Sequence, residues 1–368
     1  MSTISRLRSL DVFRGLTVAA MVLVNSPGSD DVFAPLRHAD WNGWTPTDLI
    51  FPAFLVIMGA ASAFSNAVRR ERGERAAALA RRALLRAAGL FALGLLVDFF
   101  IYRESGGMRY LGVLQRIAFC YLGVEVFLSM DRPAAEPAAV AGLLIGYWLV
   151  LTRVPVPGHG PGVLTPEGNL SYWLDRRLLG GHLLDRWGDP EGLLSTVSAF
   201  ATSLMGLVAG RRLLRDGPRS ARTLGAAGSL LATLGAVWGT FLPLNKHIWT
   251  SSFALFSGGL ALAGLAVCLR FVEGRPARWA APFEALGRRA LLAYVLAGLV
   301  YGIQEFVRMP LPDGSPGNLK LWLNASLFGS WLPPSAASLA YALVFTAAAT
   351  ALASRRGAPF RGACAGRR

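Results

Sequence analysis

Cysteine and charge are scarce in this chain. Among 368 residues only Cys120, Cys268 and Cys364 are cysteines, and their spacing shows no pairing, which argues against a disulfide framework and against a cysteine-based zinc site. Charged residues make up 16% of the chain against 53% hydrophobic, and the mean hydropathy is +0.43, a balance outside the soluble globular range. Acidic residues are scarce even within that small share, 22 against 37 basic ones, for a net charge of +15. The arginines sit between apolar spans and not beside stacking aromatics on a polar module, so no nucleic acid is expected as partner. No heptad array, low-complexity tract or long polar domain interrupts the pattern, and residues 1–368 are read as a single integral domain.

What fills the chain instead is a succession of apolar runs near twenty residues long, each about enough to cross a hydrocarbon core of roughly 30 Å as a helix. Lipid cannot satisfy backbone amides, and the runs lack the alternation of a barrel, so the fold class is all-α, a polytopic membrane helix bundle. About ten transmembrane helices are expected, at 9–26, 47–68, 83–102, 110–129, 137–154, 193–210, 224–243, 251–272, 290–307 and 335–353. The first run follows a short basic stretch and lacks a small-residue cleavage site, so it is read as an uncleaved helix. The segments on the side of the termini hold 24 Arg and Lys and the opposite loops 10, which predicts both termini on the cytoplasmic side. These basic turns serve to fix topology, or to attract anionic lipid or an anionic cofactor. Membrane lipid is thus an expected partner, and a homodimer is an allowed assembly, since apolar outer faces look the same against lipid or a second copy.

The densest reactive stretch is "RHADWNGWTPTDLIFP", residues 37–52, on the outer side between the first two spans. His38 has Asp40 and Asp48 near enough to orient it, and an imidazole suits the removal of a proton from an amine or hydroxyl nucleophile. Trp41 and Trp44, with Asn42 between them, offer a platform for a sugar ring or a lid against water; the alternative is an interfacial histidine in an aromatic belt. Asn25 ends the first helix in "MVLVNSPG" and either donates its amide to a developing oxyanion or closes the helix before a turn. Asp11, Arg14, Asp98, Gln115, Arg116 and Glu125 fall in or near apolar spans, where an unpaired charge is expensive, so they must pair or line a wet cavity. Asp11 and Arg14 are placed for an i, i+3 pair, whereas Arg116 offers a fork for phosphate or carboxylate. "LNKHIWTSS" groups Asn245, Lys246, His247 and Trp249 with Thr250, Ser251 and Ser252, either as a cap for the following helix or as the opposite wall of a pocket facing His38. Asp189 and Glu191 precede a span that opens with Ser195, Thr196 and Ser198, small residues that also permit close helix packing. No metal site is expected.

Five blocks, "RLRSLDVFRGLTVAAMVLVNSPG", "HADWNGWTPTDLIFPAFLVIMG", "GVLQRIAFCYL", "PEGLLSTVSAFATSLMGLVAG" and "PLNKHIWTSSFALFSGG", resemble in sequence and order the membrane heparan-alpha-glucosaminide N-acetyltransferase family and its bacterial relatives. The resemblance implies a transmembrane N-acetyltransferase in a bacterial plasma (inner) membrane, moving acetyl from cytoplasmic acetyl-CoA to the amino group of a glucosamine-type sugar on the far side. It implies His38 as the active-site histidine and Asn25 near the acetyl group. Arg116 and Gln115 are then candidates for holding the cofactor, and Asp40, Trp41, Asn42, Asp48, Asn245, Lys246 and Trp249 for holding the acceptor. Relatives usually read Gly-x-Asn-Ala before the ninth helix, where this chain has "GRRALLAYV" with Arg289 in the asparagine position, so no role for that asparagine carries over. No counterpart of the large luminal N-terminal domain of the animal enzyme is expected, so the acceptor is expected only as an amino sugar. An amino-sugar or oligosaccharide transporter and an O-acetyltransferase of envelope polysaccharide are the alternatives; the absence of an internal repeat counts against the first.

Overall fold

The computed structural model describes residues 7–102, 108–274 and 277–355. Arg6, Arg103, Arg275, Cys364 and the arginines from Arg356 onward lie outside the described residues, and with them part of the charge count that set the orientation. All ten expected segments are helical. In chain order the elements are α1 (Arg8–Asn25), α2 (Ile50–Glu71), α3 (Ala76–Tyr102), α4 (Val113–Met130), α5 (Ala135–Arg153), α6 (Leu170–Leu179), α7 (Ser195–Asp216), α8 (Ala221–Trp238), α9 (Ser251–Val272), α10 (Ala281–Arg288), α11 (Ala290–Phe306), a hairpin of β1 (Arg308–Pro310) and β2 (Pro316–Asn318), α12 (Leu319–Asn324) and α13 (Pro334–Arg355). α3 starts earlier than expected because the alanine- and arginine-rich run from Ala76 is strongly helix-forming. The short α6, α10 and α12 carry too little apolar length to announce themselves as spans.

Seven helical stretches among the described residues are long and apolar enough to cross a membrane, or eight if the bent pair α10 and α11, which meet at 78°, counts as one. α1 holds three charged residues, Arg8, Asp11 and Arg14, and is not one of the seven. Two of these satisfy each other: Arg14 Nη1 donates to Asp11 Oδ1 at 3.0 Å, and also to the Gly287 carbonyl of α10. The stretch Ser195–Trp238 is 44 residues long and contains both α7 and α8.

Close approach of small residues decides how the helices run. A Cβ on Gly206 of α7 would lie 2.1 Å from the Val56 carbonyl of α2, and one on Gly210 would lie 2.6 Å from the Ala60 carbonyl, so α2 and α7 pack backbone to backbone in parallel. α7 also runs parallel to α9, since Thr202 meets Trp249 and Met205 meets Gly258, while Leu213 joins Leu265 and Leu269 in one apolar cluster. α8 runs the other way, its Gly225, Gly228 and Gly235 facing Ala266, Gly259 and Phe256 in turn. The Gly217–Ser220 turn therefore reverses the chain between α7 and α8.

Two ends follow from this packing. At one, loop 26–49 meets the start of α13, the loop before α6 and the loop before α9 through Gly28 N to Ser338 O, Trp41 Nε1 to Leu164 O and Gly43 N to Leu244 O. At the other, the arginine-rich turns meet: Arg8 pairs with Glu284, Arg70 with Asp131, and Arg211 with Glu136. The segments expected to share a side are thus together in space.

Candidate active site

The His38 end is built from the turn that starts the second span. Thr45 and Asp48 form a capping box on the 3-10 turn Pro46–Leu49: Asp48 Oδ2 accepts from Thr45 N at 3.0 Å, from Thr45 Oγ1 at 3.1 Å and from Ala39 N at 3.1 Å. These bonds leave Asp48 1% exposed with Oδ1 aimed at His38, whose Nδ1 lies 2.7 Å away. The imidazole itself is half exposed, and Nε2 has no partner among the described residues.

A second loop brings a cation to the same carboxylate. Asn245 Oδ1 accepts from Ile248 N, the Asn245 carbonyl accepts from Thr250 N, and Thr250 Oγ1 bonds the Pro243 carbonyl, knotting residues 243–250. Trp249 takes the left-handed φ of +46°, uncommon for a large side chain, and is held there with its ring against Phe51 and Phe253. Asn245 Nδ2 donates to Asn42 Oδ1 at 3.1 Å and so ties this loop to the first. The result places Lys246 Nζ 3.2 Å from Asp48 Oδ1 and 2.9 Å from His38 Nδ1. Burial pulls Lys246 down from the ordinary lysine value, partly opposed by Asp48 and Glu191, and His247 is likewise held below the ordinary histidine value by burial.

His38, Lys246 and His247 border a cavity of about 500 Å³, a size suited to a small-molecule ligand. Its walls are the end of α1 from Met21 to Ser26, the start of α2, the end of α3 and the inner face of α11. Asn25 is exposed to it, as are the hydroxyl-bearing Tyr294 and Tyr301 of α11. Its charged wall is Asp98, Arg109 and Glu191. Arg109 bonds both Asp189 oxygens, at 2.8 and 2.6 Å, and donates closely to Glu191 as well, so one buried guanidinium serves two buried carboxylates. Burial holds Asp189 above the ordinary carboxylate range; burial acts the same way on Glu191, but Arg109, Arg116 and Lys246 overcome it and hold Glu191 below. No residue of the arginine-rich turns lines the cavity, whose floor is at Met21, Phe54 and Tyr294.

Of the expected site residues, His38, Asn25 and Lys246 meet at this cavity, and Asp48 supports them from behind. The others need correction. Asp40 is exposed and does not line the cavity; of the two carboxylates it is Asp48 that bonds the His38 ring. Trp41, expected as a platform for a sugar ring, does not line the cavity: it stacks on His247, meets Tyr172 edge-on and donates to Leu164 O. Trp44 leans on Phe256 instead. Asn42, Asn245 and Trp249 hold the two loops together and do not line the cavity.

Arg116 and Gln115 do not form a phosphate clamp facing the cavity. Gln115 Nε2 bonds Asp98 Oδ2 at 2.9 Å, and Arg116 is 1% exposed, with Nη2 bonded to Pro190 O and Ser195 Oγ and its guanidinium over Trp249. The cations that do reach the cavity, Arg109 and Lys246, already bond carboxylates, so among the described residues that line it no cation is left over for a cofactor's phosphates. No group of three or more histidine, cysteine or acidic residues able to hold a metal occurs among the described residues.

Arg109, Tyr294 and Tyr301 escaped sequence reasoning. Arg109 counts there only as one basic loop residue, since its carboxylate partners lie 80 and 82 positions away. The tyrosines of α11 carried no polar signal; they lie in an apolar run whose lining face appears only once α11 packs near α1 and α3.

Residues 6–171 match the family model described as "Heparan-alpha-glucosaminide N-acetyltransferase, catalytic". The chain is 29% identical to heparan-alpha-glucosaminide N-acetyltransferase of Homo sapiens, over 79% of this chain and 52% of that protein, and 28% identical to that of Mus musculus, over 80% and 53%. It thus spans about half the length of the curated relatives it matches. The matched segment contains Asn25, His38, Asp48 and Arg109, whereas Glu191, Lys246 and α11 lie beyond it.

Proposed function

We propose that this chain is a membrane N-acetyltransferase that moves acetyl from acetyl-CoA to the amino group of a glucosamine-type sugar, with the acceptor on the outer face and the donor supplied from the cytoplasm of a bacterium through its inner membrane. The observation that carries the reading is the pairing of His38 Nδ1 with buried Asp48, which leaves Nε2 for a ligand in a cavity that Asn25 also faces. The similarity to N-acetyltransferases from human and mouse supports the choice of reaction.

In this reading acetyl-CoA supplies an activated acyl carbon, and the residues do the rest. His38 Nε2 takes the proton that the attacking amine must lose, which typically contributes about 10² to 10⁴ in rate. The Asn25 amide donates to the carbonyl oxygen as it gains negative charge, an electrostatic contribution available only near the transition state. Asp48 is a positioning residue: three donors fix its Oδ2, so its Oδ1 fixes the ring. Loop packing around Trp41 and Trp249 holds the two halves of the site in register. For a donor arriving from the arginine-rich end, the floor at Met21, Phe54 and Tyr294 has to part.

The test is sealed vesicles containing the purified protein, with labelled acetyl-CoA on one face and glucosamine on the other. Labelled N-acetylglucosamine is expected, and His38→Ala is expected to reduce its formation by about 10² to 10⁴ while the melting temperature in detergent changes little, because the ring is half exposed. Movement of unmodified sugar with no acetylated product would turn the reading into a transporter, and an alkali-labile product would turn it into an O-acetyltransferase.

A further inference from the structure

We propose that Asp98 is the residue by which the cavity holds the acceptor's ring: its free carboxylate oxygen accepts hydrogen bonds from the hydroxyls of an amino sugar and selects such a ring over an amine that lacks them. The identity of the acceptor rests on the acetyl transfer proposed above; the binding of hydroxyls by this carboxylate does not.

Asp98 is the charged group of the cavity wall that the other charges leave unmatched. Arg109 bonds Asp189 and Glu191, and Lys246 bonds Asp48, whereas Asp98 makes no ion pair among the described residues. It lies in the last turns of α3, nearly buried at 8% exposed, and lines the cavity. Its Oδ2 accepts from Gln115 Nε2 at 2.9 Å. Its Oδ1 has no partner among the described residues and, unlike Gln115 Oε1, is not sealed off from open space.

The surroundings are built to hold this carboxylate. Gln115, in the first turn of α4, is fully buried, and its Oε1 has no partner among the described residues. Turning the amide over would set Oε1 against Asp98 Oδ2, acceptor against acceptor, so the bond fixes which way the amide points. Two glycines leave room for the pair. A Cβ on Gly112 would lie 2.4 Å from Asp98 Oδ2, and one on Gly94 would lie 2.3 Å from Gln115 Oε1. Packing α3 on α4 requires none of this, since an apolar pair would fill the same space without an orphaned carbonyl, which costs stability when buried. What the arrangement achieves is a carboxylate with one oxygen anchored and the other presented to the cavity.

The chemistry of that oxygen decides its ligand. A carboxylate accepts hydrogen bonds and donates none, so it takes O–H or N–H and repels phosphate, which sets it apart from the acyl donor's anionic end. In the proposed transfer the amine belongs at His38 Nε2, because a nitrogen held as an ammonium on Asp98 would have no lone pair with which to attack. The hydroxyls of the same ring are left for Asp98. Hydrogen bonds to a charged group are the stronger kind, and a buried site made for a hydroxyl discriminates against an analogue without it, because its own polar group then goes unpaired. In Asp98→Asn, Gln115 Nε2 takes the side-chain oxygen and turns the NH2 toward the cavity, so the wall offers a neutral donor in place of an anionic acceptor.

The test is a titration by saturation-transfer NMR of the full-length protein in lipid nanodiscs, without acetyl-CoA. The probes are glucosamine and 3-aminotetrahydropyran, which keeps the ring and the amine and lacks the hydroxyls. The wild type is expected to bind glucosamine about tenfold or more tightly than the stripped ring. Asp98→Asn is expected to weaken glucosamine about tenfold and the stripped ring by less than about threefold. Gln115→Leu, which releases Oδ2 and lets the carboxylate swing, should cost glucosamine less than Asp98→Asn does and leave the stripped ring alone. A wild type with no preference for glucosamine would overturn the proposal without any variant. So would variants that retain the wild-type melting transition and weaken both ligands alike, or neither. In acetyl transfer, Asp98→Asn should raise KM for glucosamine more than it lowers kcat, whereas a merely structural role would reduce the active fraction with KM unchanged. Hydroxyl selection at Asp98 in a protein that transfers no acetyl group would leave this inference standing and sink the proposed function alone.

Discussion

Arg109 and Arg70 each pair with carboxylates, one at either end of the bundle, yet the Arg109 side chain is 5% exposed and that of Arg70 is 41% exposed. The partners repeat the contrast: Asp189 and Glu191 are 0% and 9% exposed, Asp131 is 55% exposed. At the His38 end, ions have been taken out of water and must satisfy one another, since isolated buried charge costs several kcal/mol. At the arginine-rich end the Arg70–Asp131 pair remains hydrated, although Glu136, bonded to Arg211 at the same end, is 1% exposed. The first arrangement shapes a cavity wall of fixed charge, and the second leaves its cation displayed at the surface.

The sharpest way to break that contrast is Arg109→Met. Removing the guanidinium leaves Asp189 and Glu191 buried without their shared cation, and a loss of about 3–5 kcal/mol is expected, read as a large fall in the melting temperature in detergent. The double change to Arg109→Met with Glu191→Gln should recover part of the loss, because one of the two stranded charges goes with it. A single Arg109→Met variant that melts like the wild type would mean that water reaches this cluster freely, and the two ends would not differ in kind.

Asp175 offers a subtler probe of the same end. It sits on α6 behind the cavity, 0% exposed, with Oδ1 accepting from Leu193 N at 3.0 Å and Oδ2 without a partner among the described residues. Burial, helped by the neighbouring Asp189, pushes its carboxyl up to about 7. Because the folded value lies above the unfolded one, near 3.8, the folded chain holds the proton more tightly; the associated stability is complete below about pH 3.8 and is lost as pH rises through about 7. A shift of this size corresponds to on the order of 4 kcal/mol. Asp175→Asn, which is neutral at every pH, should therefore gain stability relative to the wild type between about pH 4 and 8, measured as the difference in melting temperature across that window. A constant difference would show that the carboxyl is ionised throughout.

How much of this was legible in the sequence follows the range of the interactions involved. The ten helices rest on local hydropathy, and each expected segment is helical. His38 and Asp48 share one turn, so their pairing lies within reach of a reading by eye, and the Asp11–Arg14 pair lies within one helical turn. The rest depends on contacts between distant segments. Trp41 looks like a sugar platform until Leu164 and Tyr172 arrive from another loop, and Arg116 looks like a phosphate ligand until the chain from Pro190 to Ser195 closes over it. The bend of 78° between α10 and α11 has the same origin, because α10 packs so tightly on α1 that a Cβ on Gly287 would lie 1.8 Å from the Asp11 carbonyl. Polar residues in loops were over-assigned to substrate, since most of them spend their hydrogen bonds on joining one loop to another.

The smallest expected effect belongs to the exposed end. Arg70 Nη1 bonds Asp131 Oδ2 at 3.0 Å, and Nη2 bonds the Leu128 carbonyl near the end of α4 at 2.7 Å. Exposed ion pairs contribute about 0–1 kcal/mol and are screened by salt. Arg70→Ala should accordingly lower stability by no more than about 1 kcal/mol, and a double-mutant cycle with Asp131→Ala should give a coupling below about 1 kcal/mol that shrinks further as salt is raised. The carbonyl bond belongs to the arginine alone and survives in Asp131→Ala, so the cycle isolates the ion pair from the helix cap. A salt-insensitive coupling of several kcal/mol would place Arg70 in the same class as Arg109 and would erase the division between the buried cluster around Arg109 and the exposed pair of Arg70.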